Sequence, residues 1–253
     1  ARPKVSMKRL LILFNIIGSE TGIIKSDTTV SKAVKVVPDS LETQPLFLSF
    51  DDTMVEKFAK KFELCSKLFD HAAHNGSNYL NDHYMVSILL SFPVLKNGQI
   101  QYLSVPLGYR LWDKEKSKLK IATEMIRQTM GVIGSSRQLF LLCGSWYPKA
   151  DVAELINEFG SLDILCNARV DTAMYELPPA PTGKRGRPRK YGEENINFLP
   201  LSCYLLRWNL EVSYYEGKTF WSLEEYRIRS REGIVRLINL LADSYSAMTR
   251  LSL

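Results

Sequence analysis

The sequence predicts an α/β protein: a mixed β-sheet flanked by helices. Three observations carry this. Short apolar runs bounded by polar turns, such as Leu46–Phe50 and Gln138–Cys143, have strand length rather than helix length. Two longer strand-like runs, Tyr84–Leu95 and Ile100–Leu111, are joined by Lys96-Asn97-Gly98, and Asn-Gly is a strong hairpin signal. Beyond them, helical periodicity alternates with short apolar runs, which implies crossover connections between parallel strands. A hairpin plus crossovers makes the sheet mixed.

The elements follow in order. Residues 1–44 form a lead-in: a helix-like piece, Lys8–Ile17, then a polar stretch rich in Ser, Thr and Lys. Met7–Gly18 superficially resembles a secretion signal, but no small-residue cleavage site clearly follows, and a helix docked on the core accounts for it better. Leu46–Phe50 (LFLSF) is a buried strand whose end presents Asp51, Asp52 and Thr53. Met54–Phe69 has helical spacing, with Val55, Phe58, Phe62, Cys65 and Phe69 on one face. The hairpin follows. Lys116–Val132 is helical, with Leu119, Ala122, Ile126 and Met130 in phase. Gln138–Cys143 (QLFLLC) is continuously apolar, as a central strand is. Ala150–Phe159 is helical and Leu162–Cys166 is a strand. Setting aside the helical insertion, the order is β-β-β-α-β-α-β, that of the ribonuclease-H-like fold. From Pro178 to Tyr191 (PPAPTGKRGRPRKY) three prolines in four residues preclude a helix or central strand. This marks a basic insertion at about residues 169–200 within a core spanning 45–253. After Phe198 the chain is helical, including an amphipathic Ile234–Leu241.

Composition narrows the function classes. The chain has 253 residues, 45% hydrophobic and 24% charged, enough to bury a core. Disorder throughout is excluded. Four cysteines, none with CxxC spacing, exclude a disulfide scaffold and read as free thiols of a reducing compartment. His71, His74 and His83 cluster without a neighbouring Cys and read as a hydrogen-bonded turn rather than a zinc site. No apolar run reaches the ~18 residues of a membrane span. The net charge of +6 permits a polyanionic partner.

The most informative segment is Tyr204–Lys218, YLLRWNLEVSYYEGK. At ~100° per residue, Tyr204, Arg207, Glu211 and Lys218 point to about 0°, 300°, 340° and 320°, a ~60° stripe. An acid between two cations and a phenol can bind a metal while the cations hold phosphates. A solvated face with an i,i+4 Arg–Glu pair is the plainer alternative. A second charged feature, Lys184–Lys190 (KRGRPRK), contains Lys184, Arg185, Arg187, Arg189 and Lys190. Its Arg-Gly-Arg-Pro resembles the core of an AT-hook, which enters narrow minor grooves. Plain phosphate contact and a solvated loop are the alternatives.

The spacing Tyr-x2-Arg-x3-Glu-x6-Lys resembles the YREK signature of cut-and-paste DDE transposases of bacterial insertion sequences. Arg207-Trp208-Asn209-Leu210-Glu211 is similar to that family's Arg-Trp-x-Ile-Glu core. Leu48–Thr53 resembles the strand and D-x-T that supply the first catalytic Asp, and Leu141–Tyr147 the strand end that carries the second. The resemblance spans roughly Leu46 to Leu251. It implies a ribonuclease-H-like catalytic core acting on double-stranded DNA at transposon ends and targets. It further implies Mg2+ (or Mn2+) at two sites, a homodimer, a bacterial cytoplasmic, nucleoid-associated location, and nicking, hairpin formation and strand transfer. Asp51 and Glu211 would be metal ligands; Tyr204, Arg207, Lys218 and the basic run would contact DNA. The D-x-T pattern selects Asp51, with Asp52 as second candidate.

One departure stands out. Gly144 occupies the position where the resemblance expects the second catalytic Asp, and glycine offers no side-chain ligand. Such chemistry uses two Mg2+ ions with oxygen ligands, so one site is weakened. Asp151 and Asp163 are the nearest later acids. Gly144 at a strand end can also take a positive φ that Asp tolerates poorly. The expected function is therefore a transposase core impaired at Gly144. The rivals are an inactive, domesticated transposase-derived DNA-binding protein and a basic interaction module in which the spacing is accidental.

Overall fold

The structure is a computed structural model that describes residues 26–57, 62–69, 79–134, 137–167, 179–180 and 201–251. Lys8–Ile17, His71, His74 and the basic run Lys184–Lys190 lie outside the described residues.

Helix α1 (Ser26–Val36) precedes strand β1 (Leu46–Glu56), short strand β2 (Ser66–Phe69), and the hairpin of β3 (Tyr79–Lys96) and β4 (Gln99–Leu111). Helix α2 (Lys118–Ile133), β5 (Leu139–Cys143), α3 (Ala150–Glu158) and β6 (Leu162–Cys166) follow. A short helical turn, Leu201–Tyr204, and a 3-10 turn, Leu205–Arg207, lead into α4 (Trp208–Phe220) and then α5 (Arg231–Leu251).

The sheet runs β2-β3-β1-β5-β6, with β4 on the same outer side of β3 as β2. β1 is antiparallel to β3, from Phe47↔Ser91 to Glu56↔Asp82, and parallel to β5, from Leu46↔Leu139 to Ser49↔Leu142. β5 and β6 are parallel, Leu139↔Leu162 to Cys143↔Cys166. This is the ribonuclease-H-like arrangement that the element order predicted. The hairpin closes at Asn97 (φ 52°) and Gly98 (φ 74°). Two consecutive positive φ values are what a two-residue primed turn requires, and Asn-Gly supplies them at least cost.

Strand alternation sorts the core into two faces. On one, Leu46, Leu48 and Phe50 of β1 pack with Leu139 and Leu141 under α1, α2 and α3, through Val30, Ala33, Ile121, Met125, Ile126, Val152 and Leu155. On the other, Val55, Met85, Leu89 and Leu111 pack under α4 and α5, through Leu210, Tyr214, Ile234, Ile238 and Ala242. α2 starts cleanly because the Ser117 side chain accepts from the Lys120 amide at 3.1 Å, and it stops at Gly134, whose φ is 75°.

Two expectations change. Met54–Phe69 does not form a helix: Met54–Glu56 continue β1 and Ser66–Phe69 form β2. The 18-residue β3 presents ladder partners out to Glu56↔Asp82 and Phe69↔Tyr79, and this non-local pairing overrides the local 3–4 spacing. Within the polar lead-in, Ser26–Val36 form α1, whose Val30 and Ala33 are fully buried. No helix among the described residues is long and apolar enough to cross a membrane.

Phe50 is 0% exposed and Phe220 is 70% exposed. Phe50→Ala is expected to cost about 3–5 kcal/mol of unfolding free energy, and Phe220→Ala about 0.5 kcal/mol or less. Denaturant titration of the two variants checks this; equal losses would refute the assignment of faces.

Candidate functional site

The C-terminal half of β1 carries Asp51 and Asp52 on opposite faces of the sheet. Asp51 turns toward the α4 side. Its Oδ2 pairs with Arg207 Nη1 at 2.7 Å, and its Oδ1 accepts from Tyr147 Oη at 3.0 Å and from the Asp52 amide at 2.9 Å. The same Arg207 nitrogen lies 3.4 Å from Glu211 Oε1. One guanidinium nitrogen therefore stands between two carboxylates. Asp52 turns toward α2, where Lys118 Nζ reaches its Oδ2 at 2.5 Å. That ammonium also lies 3.8 Å from the centroid of the Tyr84 ring and 5.9 Å from those of Trp112 and Trp146, positions where ring quadrupoles attract a cation.

Tyr147 links the two halves. Its hydroxyl donates toward both Asp51 and Asp52, sharing one hydrogen between two carboxylates. The ring is buried and packs edge-on against Phe50 at 4.8 Å, and the Tyr147 amide donates to the Gly144 carbonyl at 3.1 Å. The result is a continuous polar chain: Lys118, Asp52, Tyr147, Asp51, Arg207, Glu211.

α4 is tied to β1 at further points. Tyr214 Oη donates to the Asp51 carbonyl at 2.9 Å and lies 2.5 Å from Ser87 Oγ. Lys218 Nζ donates to the Met54 carbonyl at 2.7 Å and pairs with Glu224 at 2.8 Å. Tyr204 Oη donates to the Cys143 carbonyl at 3.4 Å. Tyr204, Arg207 and Lys218 thus reach the C-terminal ends of β1 and β5, and Glu211 joins them through Arg207. They do not belong to one continuous helix, because the 3-10 turn Leu205–Arg207 intervenes.

Burial sets the electrostatics. It raises the Asp51 carboxyl above its ordinary range, against the lowering effects of the Asp52 amide, Arg207 and Tyr147, with Asp52 adding to the rise. Burial likewise raises Glu211, helped by the negative charge of Asp51 and opposed by Arg207. Burial disfavours the Arg207 cation, but Asp51, Tyr204 and Glu211 more than offset it, so its affinity for the proton rises. Burial and both aspartates push the Tyr147 phenol far upward.

Gly144 follows the last residue of β5. Ser49↔Leu142 is the final β1–β5 pair, so Gly144 lies two residues past it, and its carbonyl accepts from the amide of Tyr147, the residue whose hydroxyl reaches Asp51. Gly144 does not adopt a positive φ, contrary to the possibility raised by its residue type, and a Cβ built there meets nothing within 4 Å. Asp151 lies exposed in the first turn of α3, and Asp163 accepts from Gln138 Nε2 at 2.7 Å at the opposite end of β5. Neither joins the cluster. His83 is buried, with Nδ1 2.8 Å from Tyr226 Oη and Nε2 2.8 Å from the Glu63 carbonyl.

The donor set does not fit a divalent ion. Asp51 and Glu211 are both engaged by Arg207, Gly144 contributes no side-chain oxygen, and among the described residues no group of three or more His, Cys, Asp or Glu side chains is placed to hold a metal.

Sequence reasoning assigned no individual site role to Tyr147, Lys118 or Tyr214. The one signal for Tyr147 was its place four residues beyond Cys143, at the strand end that faces Asp51.

No family model matches the sequence, and no curated protein matches it. Among solved structures, the Mos1 strand transfer complex is similar at 11% identity and a TM-score of 0.32, over 98% of this chain and 70% of that one. The Drosophila P element transposase strand transfer complex is similar at 11% identity and a TM-score of 0.33, over 98% of this chain and 53% of that one. The fold assignment rests on strand order and direction, not on these values.

Because Asp51 binds its proton more tightly in the folded chain than at its ordinary value of 3.8, its ionisation weakens the fold as pH rises upward from that value. Asp51→Asn removes this dependence. In denaturant titrations across that window, the stability of the variant relative to the parent is expected to increase with pH. A constant difference would show that burial does not dominate at Asp51.

Proposed function

We propose that this chain is a transposase-type, ribonuclease-H-like core that binds double-stranded DNA and, with glycine at position 144, does not carry out metal-dependent cleavage. The observation that carries this reading is the Asp51–Arg207–Glu211 cluster; in this reading Gly144, where a Cβ has open space, stands in the place of a third carboxylate. The YREK spacing supports the transposase assignment. The net charge of +6 suits a polyanion. Arg207 and Lys218 serve first as ties between α4 and β1, so their contacts to DNA phosphate would require exchange of the carboxylate and carbonyl partners they hold. The basic run, with Arg185 and Arg187, supplies further phosphate contacts in this reading, and a homodimer follows from paired DNA ends.

Gly144→Asp tests it. The added side chain has space and ordinary backbone geometry. On a supercoiled plasmid carrying the DNA that flanks the coding sequence, the parent is expected to bind without nicking above background in Mg2+. The variant should nick at least about ten-fold faster, within the range that completing an electrostatic site supplies. Efficient nicking by the parent would overturn the reading, since another group would then be supplying the missing ligand.

A further inference from the structure

We infer a second DNA-backbone contact surface on the segment Tyr226–Ser230, between α4 and α5, carried by Arg227 and Arg229. This rests on the DNA-binding reading above but uses none of the residues around Asp51.

The segment is anchored by alternate residues. Tyr226 is buried: its hydroxyl lies 2.8 Å from His83 Nδ1, and its ring lies beneath Lys57 Nζ at 3.3 Å. Ile228 leans on the first turn of α5 so closely that a Cβ on Gly233 would come within 2.5 Å of its Cγ2. The Arg229 carbonyl accepts from the Glu63 amide at 3.0 Å. With Tyr226 buried and the Arg229 carbonyl tied to Glu63, the side chains of Arg227 and Arg229 are exposed. Among the described residues neither guanidinium has an ion-pair or hydrogen-bond partner. That contrasts with Arg110, Arg127, Arg207, Arg231 and Arg236, each of which pairs with a carboxylate.

Two unneutralised guanidiniums on an anchored segment, their Cα atoms at most ~7 Å apart, match a ligand that repeats negative charge at short intervals. Each strand of duplex DNA offers a phosphate every ~3.4 Å of helix axis. None of the nearby acids pairs with Arg227 or Arg229: Asp113 pairs with Arg231 and Glu224 with Lys218, while Glu63 accepts from the Arg231 amide at 2.5 Å and Glu225 from the Ser222 hydroxyl. The position also suits a duplex already seated at Asp51. Lys57, just past the end of β1, donates to the Glu224 carbonyl at 2.6 Å, so the segment lies beyond that strand end. Six residues of strand from Asp51 to Lys57 rise on the order of 20 Å. Contacts here would fall on phosphates well outside the carboxylate cluster.

The test is a salt titration of binding to two duplexes of equal length and unrelated sequence, followed by fluorescence anisotropy. The double variant Arg227→Gln/Arg229→Gln should lower the slope of log K against log salt by about 2, equally on both duplexes. Between ~50 and ~200 mM salt the parent should lose about ten-fold more affinity than this variant. Arg227→Lys/Arg229→Lys should keep the parental slope, because a phosphate contact needs charge rather than the planar fork. Matching thermal midpoints would verify that both variants fold. An unchanged slope with a parent that binds DNA would overturn this surface and leave the DNA-binding reading standing. A loss on one duplex only would make it a base-reading site and overturn the backbone assignment. A parent without salt-dependent binding would overturn both.

Discussion

Everything at the C-terminal end of β1 depends on one guanidinium serving two half-buried carboxylates. Asp51 and Glu211 both resist ionisation because burial disfavours their charged forms; Glu211 also feels the negative charge of Asp51, and Asp51 that of Asp52. Arg207 is the shared counter-charge. Because Arg207 closes the 3-10 turn that leads into α4, this electrostatic requirement also fixes where the helix begins. Tyr214 and Lys218 then extend the attachment along β1 through backbone carbonyls, which do not titrate. Removing one member of such a partly buried group leaves the others uncompensated, which costs more than the pair itself contributes.

Tyr147 extends this constraint through the sheet. Asp51 and Asp52 belong to different faces, yet one phenol hydrogen serves both. Any movement of α2 that draws Lys118 from Asp52 changes the charge that Tyr147 feels, and with it the hydrogen bond left for Asp51. The sheet is thus an electrical connection as well as a scaffold, a property that follows from consecutive aspartates at a strand end beneath a buried tyrosine.

Much of the fold was legible in the sequence because it rests on local signals. The hairpin was marked by Asn97-Gly98, β5 by an uninterrupted apolar run, and α2 by its periodic face. Met54–Phe69 was misread for the complementary reason: its partner strand lies downstream, and nothing within the segment announces an 18-residue β3. In the site, the Arg207–Glu211 pair was visible as an i,i+4 spacing. Asp51, the first choice from the D-x-T pattern, lies on the face it shares with α4. Tyr147, Lys118 and Tyr214 were not legible, since a phenol or ammonium gains its role from what tertiary packing sets beside it. The 3-10 turn was hidden likewise, as helical-wheel arithmetic assumes one uniform twist.

The strand order has a consequence for synthesis on the ribosome. β1 is made early, but its two partners come later: β3 after an intervening insertion, and β5 only after the hairpin and α2. The hairpin can close at once through its two-residue turn, and its β3 then offers β1 one neighbour. Until Leu139–Cys143 emerge, the other edge of Leu46–Phe50 carries unpaired backbone groups beside large apolar side chains. Such an edge is a template for pairing with another chain. The nascent polypeptide therefore passes through a vulnerable interval whose length is set by the translation time of the hairpin and α2, and a chaperone that shields β1 would act within that interval.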